Sequence, residues 1–136
     1  MVPTIETKVK FDGDISPIKI LFKECKWDWI EPDSEMLIAF QNSYRIYMVY
    51  NFQTLIGFSR IISDGKTYGH LVDLMISPNY RRKGYGRLLI EHILLDSKNN
   101  GIKIIQLLAS KEGRHLYQDN GFEVCSNEAP GMIKIL

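Results

Sequence analysis

The sequence predicts a mixed α/β fold with one central sheet, in the order β α α β β β α β α β β. Three observations carry this. Three β-rich runs, 44–51, 54–63 and 68–77, follow one another with only short breaks, as an antiparallel meander does. Apolar residues recur at helical spacing before and after them. Finally, IIQLLA (104–109) is nearly all apolar and follows a helix, as a doubly covered parallel strand would. The 136 residues fit a single domain, 1–136, large enough to bury a core.

Taken in order, TIETKVKF (4–11) alternates like an edge strand, and Ser16-Pro17 supplies an N-cap and a first-turn proline. Ile18, Leu21, Phe22 and Cys25 then mark one face of a helix. A second helix follows Pro32-Asp33, with Met36, Leu37 and Phe40 on one side. YRIYMVYN and TLIGFSRIIS form a hairpin, and Asp64-Gly65 turns the chain into YGHLVDLMIS. A helix behind NYRRKGYG ends at Asn99-Asn100-Gly101, where the glycine suits a C-cap. A short helix at 112–119 stops at Asn120-Gly121, and FEVCS and GMIKIL are the two last strands.

A net charge of +1 argues against a general nucleic-acid or membrane binder, so any electrostatic function is local. No window reaches the roughly 20 apolar residues of a spanning helix, and the first residues lack the order of a signal peptide, so the cytoplasm is the expected compartment. Cys25 and Cys125 share no CxxC spacing and have no clustered histidines, so no metal site is expected and both are read as packed, reduced thiols. GMIKIL is apolar enough to pair with a second copy, which makes a homodimer an expected assembly.

The densest local signal is NYRRKGYGRLL (79–89). A glycine turn that feeds a helix brings unpaired backbone N–H groups and the positive end of the dipole to one spot, an anion cradle. A P-loop is excluded, because no GxxxxGK[ST] spacing occurs, and so is a dinucleotide fingerprint, because Leu89 stands where its third glycine belongs. What remains is Arg81-x-x-Gly84-x-Gly86, with Arg82, Lys83 and Arg87 adding charge. A solvated basic helix start would carry the same residues. A nucleic-acid contact would use the same four cations, but they make a small footprint.

R-x-x-G-x-G behind a strand ending in I-S-P, followed by an amphipathic helix, resembles the coenzyme A signature of the GNAT superfamily of acetyl-CoA-dependent N-acetyltransferases. LLASKEGRHLYQDNGF (107–122) is similar to that family's A...Y...GF segment, and the predicted element order is that of the family. The run 42–65 and NEAPGM are further similar to small bacterial members that resemble serotonin and arylalkylamine acetyltransferases.

The resemblance implies a mostly antiparallel sheet splayed beside one parallel pair, with acetyl-CoA as co-substrate and a small-molecule amine as acceptor. It implies that Leu74, Met75 and Ile76 line the pantetheine arm, with the Leu74 N–H facing the thioester carbonyl. The pyrophosphate would rest on Arg82, Lys83, Gly84, Tyr85, Gly86 and Arg87 behind Arg81, and Ser110 would bond the same arm where many relatives use asparagine. Tyr117 matches the tyrosine that protonates the leaving thiolate; the same tyrosine could instead be a core residue beside Phe122. His70 stands eleven residues before Arg81, where many members carry a glutamate and arylalkylamine acetyltransferases a histidine, and it is the candidate base. Asp73, a lone acid among Leu71, Val72, Leu74 and Met75, competes to hold the ammonium, or else caps a bulge. Arg60 and Asp64 suggest a salt bridge bracing the hairpin. In KWDWIEPD (26–33), Trp27 and Trp29 either floor the acceptor pocket or seal the loop, while Asp28 and Glu31 would steer a cationic amine. A sensor domain that binds acyl-CoA without turnover, and a protein lysine or N-terminal acetyltransferase, are the competing functions.

Overall fold

A computed structural model describes residues 2–29 and 31–136; Ile30, within the KWDWIEPD loop, lies outside the described residues. The elements are β1 (Thr4–Lys8), α1 (Ser16–Glu24), α2 (Asp33–Gln41), β2 (Arg45–Asn51), β3 (Thr54–Ser63), β4 (Tyr68–Ile76), a 3₁₀ turn (Pro78–Tyr80), α3 (Tyr85–Asn99), β5 (Ile104–Gln106) and α4 (Arg114–Asp119). They build one five-stranded sheet in the order β1-β2-β3-β4-β5, with antiparallel neighbours up to β4 and a parallel β4–β5 pair. The mixed α/β class read from the sequence is therefore the class of the molecule.

Strand alternation divides the core in two. Ile46, Met48, Phe58 and Met75 point to one face and pack against Ile18, Leu21 and Phe22 of α1 and Met36 and Phe40 of α2. Tyr47, Val49, Ile56, Ile61 and Leu71 point to the other and meet Leu89, Ile90 and Ile93 of α3. Phe58 is fully buried between the rings of Phe22 (5.9 Å) and Phe40 (5.3 Å). Truncation to Ala removes both aromatic pairs and leaves a cavity, so Phe58→Ala should cost about 3–5 kcal/mol in urea unfolding. On the α3 face, the Tyr47 hydroxyl donates to Asp96 Oδ2 at 2.7 Å, and burial, with that carboxylate behind it, pushes the phenol above its ordinary range.

Four expectations change. The first helix starts at Ser16 itself: the preceding Ile15 occupies the cap position, and both the N–H and the hydroxyl of Ser16 donate to Asp14 Oδ1. Strand β1 stops at Lys8, although Phe11 beyond it is still buried. β5 covers only 104–106, and Ile104 is 46% exposed, so it is not doubly covered. FEVCS and GMIKIL form no strands; Met132, Ile133, Ile135 and Leu136 stand exposed, and so does Cys125. The changes among the strands share one physical reason. β-propensity shapes a residue for a sheet but supplies no partner edge, and without ladder hydrogen bonds the terminal segment leaves the outer side of β5 open. Among the described residues, no helix is long and apolar enough to cross a membrane.

Candidate functional site

The site grows out of an interruption in β4. Its register with β3 runs Arg60↔Val72 and then Phe58↔Met75, so Asp73 and Leu74 together oppose the single residue Ser59. This is a β-bulge, and its first residue, Asp73, has φ 57°, in the left-handed region that few side chains other than Asn and Asp visit readily. The buried Ser59 hydroxyl donates to Val72 O at 3.0 Å and pins the root of the bulge. On the other side, β4 pairs with β5 only from Tyr68↔Ile104 to His70↔Gln106, while β4 itself continues to Ile76. The two parallel strands therefore part beyond His70, ahead of the bulge at Asp73, and the cleft between them opens toward the N-terminus of α3.

The lower end of that cleft is the glycine turn. Arg82 (φ 59°) and Gly84 (φ 84°) are both left-handed, and α3 starts directly behind them with no side chain capping it. Left-handed residues interleaved with ordinary ones turn successive N–H groups to one side, and the first turn of α3 adds its own orphan donors. A Cβ on Gly84 would meet nothing within 4 Å, so glycine is required here by φ and not by space; at Gly86 a Cβ would come within 3.2 Å of Leu116 Cδ2. The cations divide. Arg81 folds back, its Nε donating to Ile76 O at 2.9 Å, and Arg87 Nε pairs with Glu91 at 2.9 Å. Lys83 Nζ lies over the Tyr80 ring, 5.6 Å from its centre, and Arg82 and Lys83 are exposed.

Ile76 joins the turn to the strand. Ser77 N–H donates to Ile56 O on β3, so by alternation the groups of Ile76 point to the cleft side, where its carbonyl also accepts the Cys25 thiol at 3.5 Å. Glu24 accepts the Ser77 hydroxyl at 2.9 Å. The end of α1 is thus tied to the end of β4, a contact across more than fifty residues that no local spacing announces. Burial raises the Cys25 thiol above its ordinary range despite the nearby Arg81.

Tyr117 of α4 packs in the α3-face cluster that also holds Leu74, Leu107 and Leu116, edge-on to Phe122 at 5.7 Å. Burial pushes its phenol up, which keeps it protonated and able to donate. Ser110 accepts the Gly113 N–H at 3.0 Å and so braces the turn into α4. His70 pairs with Ile62 and stands opposite in direction to Leu71, which places it on the α1/α2 face. Trp29 packs against that face's core with Lys19 Nζ 5.3 Å from its ring, and its indole N–H is buried without a partner among the described residues. Trp27 is 42% exposed and touches Phe22 edge-on. The structure thus gathers Leu74, Ile76, Tyr117 and the glycine turn around one cleft, with His70 and Trp29 on the opposite face of the sheet.

Arg60 corrects its expected pairing. Its Nε reaches Asp73 Oδ2 at 2.6 Å, not Asp64. Asp64 instead accepts the N–H groups of Lys66 and Thr67 and the Thr67 hydroxyl, which hold its carboxyl down at about 2. A local Asx turn satisfies Asp64 before a longer-range partner can. A further cavity of about 550 Å³ lies at the other end of α3, lined by Leu94, Lys98, Ile102 and Phe122, where the terminal segment leaves β5 uncovered.

The family model of the acetyltransferase (GNAT) domain matches residues 42–124. A histone acetyltransferase of Glycine max is 26% identical over 133 residues, which cover 90% of this chain and 57% of that protein. The chain thus spans just over half the length of that curated relative. Among solved structures, a probable acetyltransferase of meticillin-resistant Staphylococcus aureus has a TM-score of 0.83 at 22% identity, over 99% of this chain and 100% of that one. A predicted acetyltransferase of Clostridium acetobutylicum, solved with acetyl-CoA, has a TM-score of 0.71 at 19% identity, over 97% and 96%. At these identities the structural likeness is one of fold.

Proposed function

This chain belongs to the GNAT acetyltransferase family, and on that premise we propose that it transfers the acetyl group of acetyl-CoA to a primary amine of a small molecule, by direct attack in a ternary complex. The observation that carries the proposal is the parted β4–β5 pair, which ends on a left-handed glycine turn and the uncapped N-terminus of α3. A strand-like pantetheine arm suits the first, and a pyrophosphate suits the second. The exposed cations Arg82 and Lys83 fit the charge of that group, and the unfilled space at Gly84 fits its bulk.

The residues then take these roles. An alkylammonium must lose a proton before it can attack, and His70 is the proposed acceptor, directly or through water. The Leu74 N–H, on the bulge, stabilises the oxyanion that forms as the amine adds to the thioester. Tyr117, held protonated by burial, gives its proton to the departing thiolate. Trp29, whose indole N–H has no partner among the described residues, and Trp27 line the proposed acceptor side. A protein lysine acceptor is the second reading, favoured by the name of the soybean relative.

Release of free thiol from acetyl-CoA, measured against a panel of small amines, amino acids and lysine peptides, tests both. Stimulation by a small amine well above hydrolysis supports the proposal. Stimulation by peptides alone replaces it with the second reading, and no stimulation by any acceptor supports an acyl-CoA sensor.

A further inference from the structure

We infer that Arg60 and Asp73 form a positioning clamp that ties the bulge carrying the Leu74 N–H to helix α2, so that the place of the oxyanion donor is set by one guanidinium. The inference rests on the acetyltransferase reading for its kinetic consequence and on geometry alone for the clamp. Asp73 is an L-residue at φ 57°, a region that Asp tolerates better than most side chains, and here its carboxylate is tied down. The fixing contact is the 2.6 Å bond from Arg60 Nε to Asp73 Oδ2, between side chains only 14% and 21% exposed. A charge-assisted bond at that distance and burial is far less open to screening than a surface pair.

The same guanidinium faces α2. Its Nη1 donates to Ser43 Oγ at 3.3 Å, and Ser43 Oγ donates in turn to Ala39 O at 2.9 Å in the last turn of α2. The guanidinium carbon also lies 5.6 Å from the ring centre of Phe40, a buried α2 residue. A continuous path therefore runs from α2 through Ser43 and Phe40 to Arg60, Asp73 and the backbone of Leu74. Asp73 is engaged inward by this clamp, so its role is to hold the shape of the bulge and not to bind the acceptor's ammonium. Neither Arg60 nor Asp73 touches the reacting atoms; both are positioning residues.

Three variants test the clamp in the full chain: Asp73→Asn, which keeps a left-handed-tolerant side chain and removes the charge; Arg60→Met, which keeps the stem; and Asp73→Gly, which relieves the backbone while removing the carboxylate, and so guards against loss of folding. Without any substrate, backbone amide shifts should move together at Leu74 and at Ser43 in all three. With acetyl-CoA and an accepted amine, kcat should fall about tenfold with acceptor KM little changed, as expected for a misplaced donor. The Arg60→Met/Asp73→Asn double variant should be no worse than either single. The clamp is overturned if amide changes stay local to the substituted residue, or if Asp73→Asn raises acceptor KM at constant kcat while Arg60→Met does not. Because the amide experiment needs no turnover, absence of acetyl transfer in the parent protein would count against the acetyltransferase reading and leave the clamp to be judged on the shifts.

Discussion

Replacing Tyr117 with Phe should lower kcat by about a hundredfold or more while leaving the Kd for coenzyme A within about twofold, measured by steady-state turnover and calorimetric binding. The ring of Tyr117 packs in the α3-face cluster and against Phe122, and Phe preserves both contacts, so only the proton donor is lost. The pH profile carries a second, independent sign. Burial raises the Tyr117 phenol from its ordinary value of 10.0, so the acid stays protonated through neutrality and activity should be lost only as pH rises through the raised value. In the Phe variant that alkaline limb should disappear from what activity remains. A Tyr117→Phe protein with unchanged kcat would remove this residue from the chemistry and leave it a core tyrosine.

The second large effect is expected at the glycine turn. Gly84 has φ 84° and open space around its Cα, so Gly84→Val meets no clash and is penalised through backbone conformation alone. A β-branched side chain in the left-handed region costs about 1–2 kcal/mol, and escaping that cost means redirecting the N–H groups of the cradle. Binding of acetyl-CoA should therefore weaken by about tenfold or more, because 1.4 kcal/mol lost from the complex is a factor of ten. Gly84→Asn, which tolerates this region, should bind nearly as the parent does. Equal weakening by Asn and Val would mean that side-chain bulk, not φ, governs the turn.

The turn at Gly84 and the short helix that holds Tyr117 were legible as structure because their signals are local. Glycines two apart before a helix, and a tyrosine within a helix that ends at Asn120-Gly121, keep their meaning in one dimension. The meander was legible for the same reason: the β-rich runs 44–51, 54–63 and 68–77, set apart only by short breaks, became β2, β3 and β4. Other features depend on pairing that no spacing encodes. The left-handed φ of Asp73 follows from two residues opposing Ser59, and only that geometry brings Arg60 to Asp73 in preference to Asp64, its nearer neighbour in sequence. Likewise, the links of Cys25 and Glu24 to the end of β4 depend on where α1 docks. FEVCS and GMIKIL were misread for the opposite reason: their strand propensity is plain, but a strand exists only when an edge receives it.

The central claim is that the cleft brings acetyl donor and amine together for direct transfer. A single-turnover experiment tests it most directly: protein in excess over acetyl-CoA carrying an isotopically labelled acetyl group is mixed with an amine that stimulates thiol release, quenched over time and resolved by mass. The account predicts that labelled amide and free coenzyme A appear at one common rate, with no labelled acetyl on Cys25, Cys125 or any other residue of the protein. Labelled protein formed before the amide, or free thiol released with labelled acetate and no amide, would contradict it.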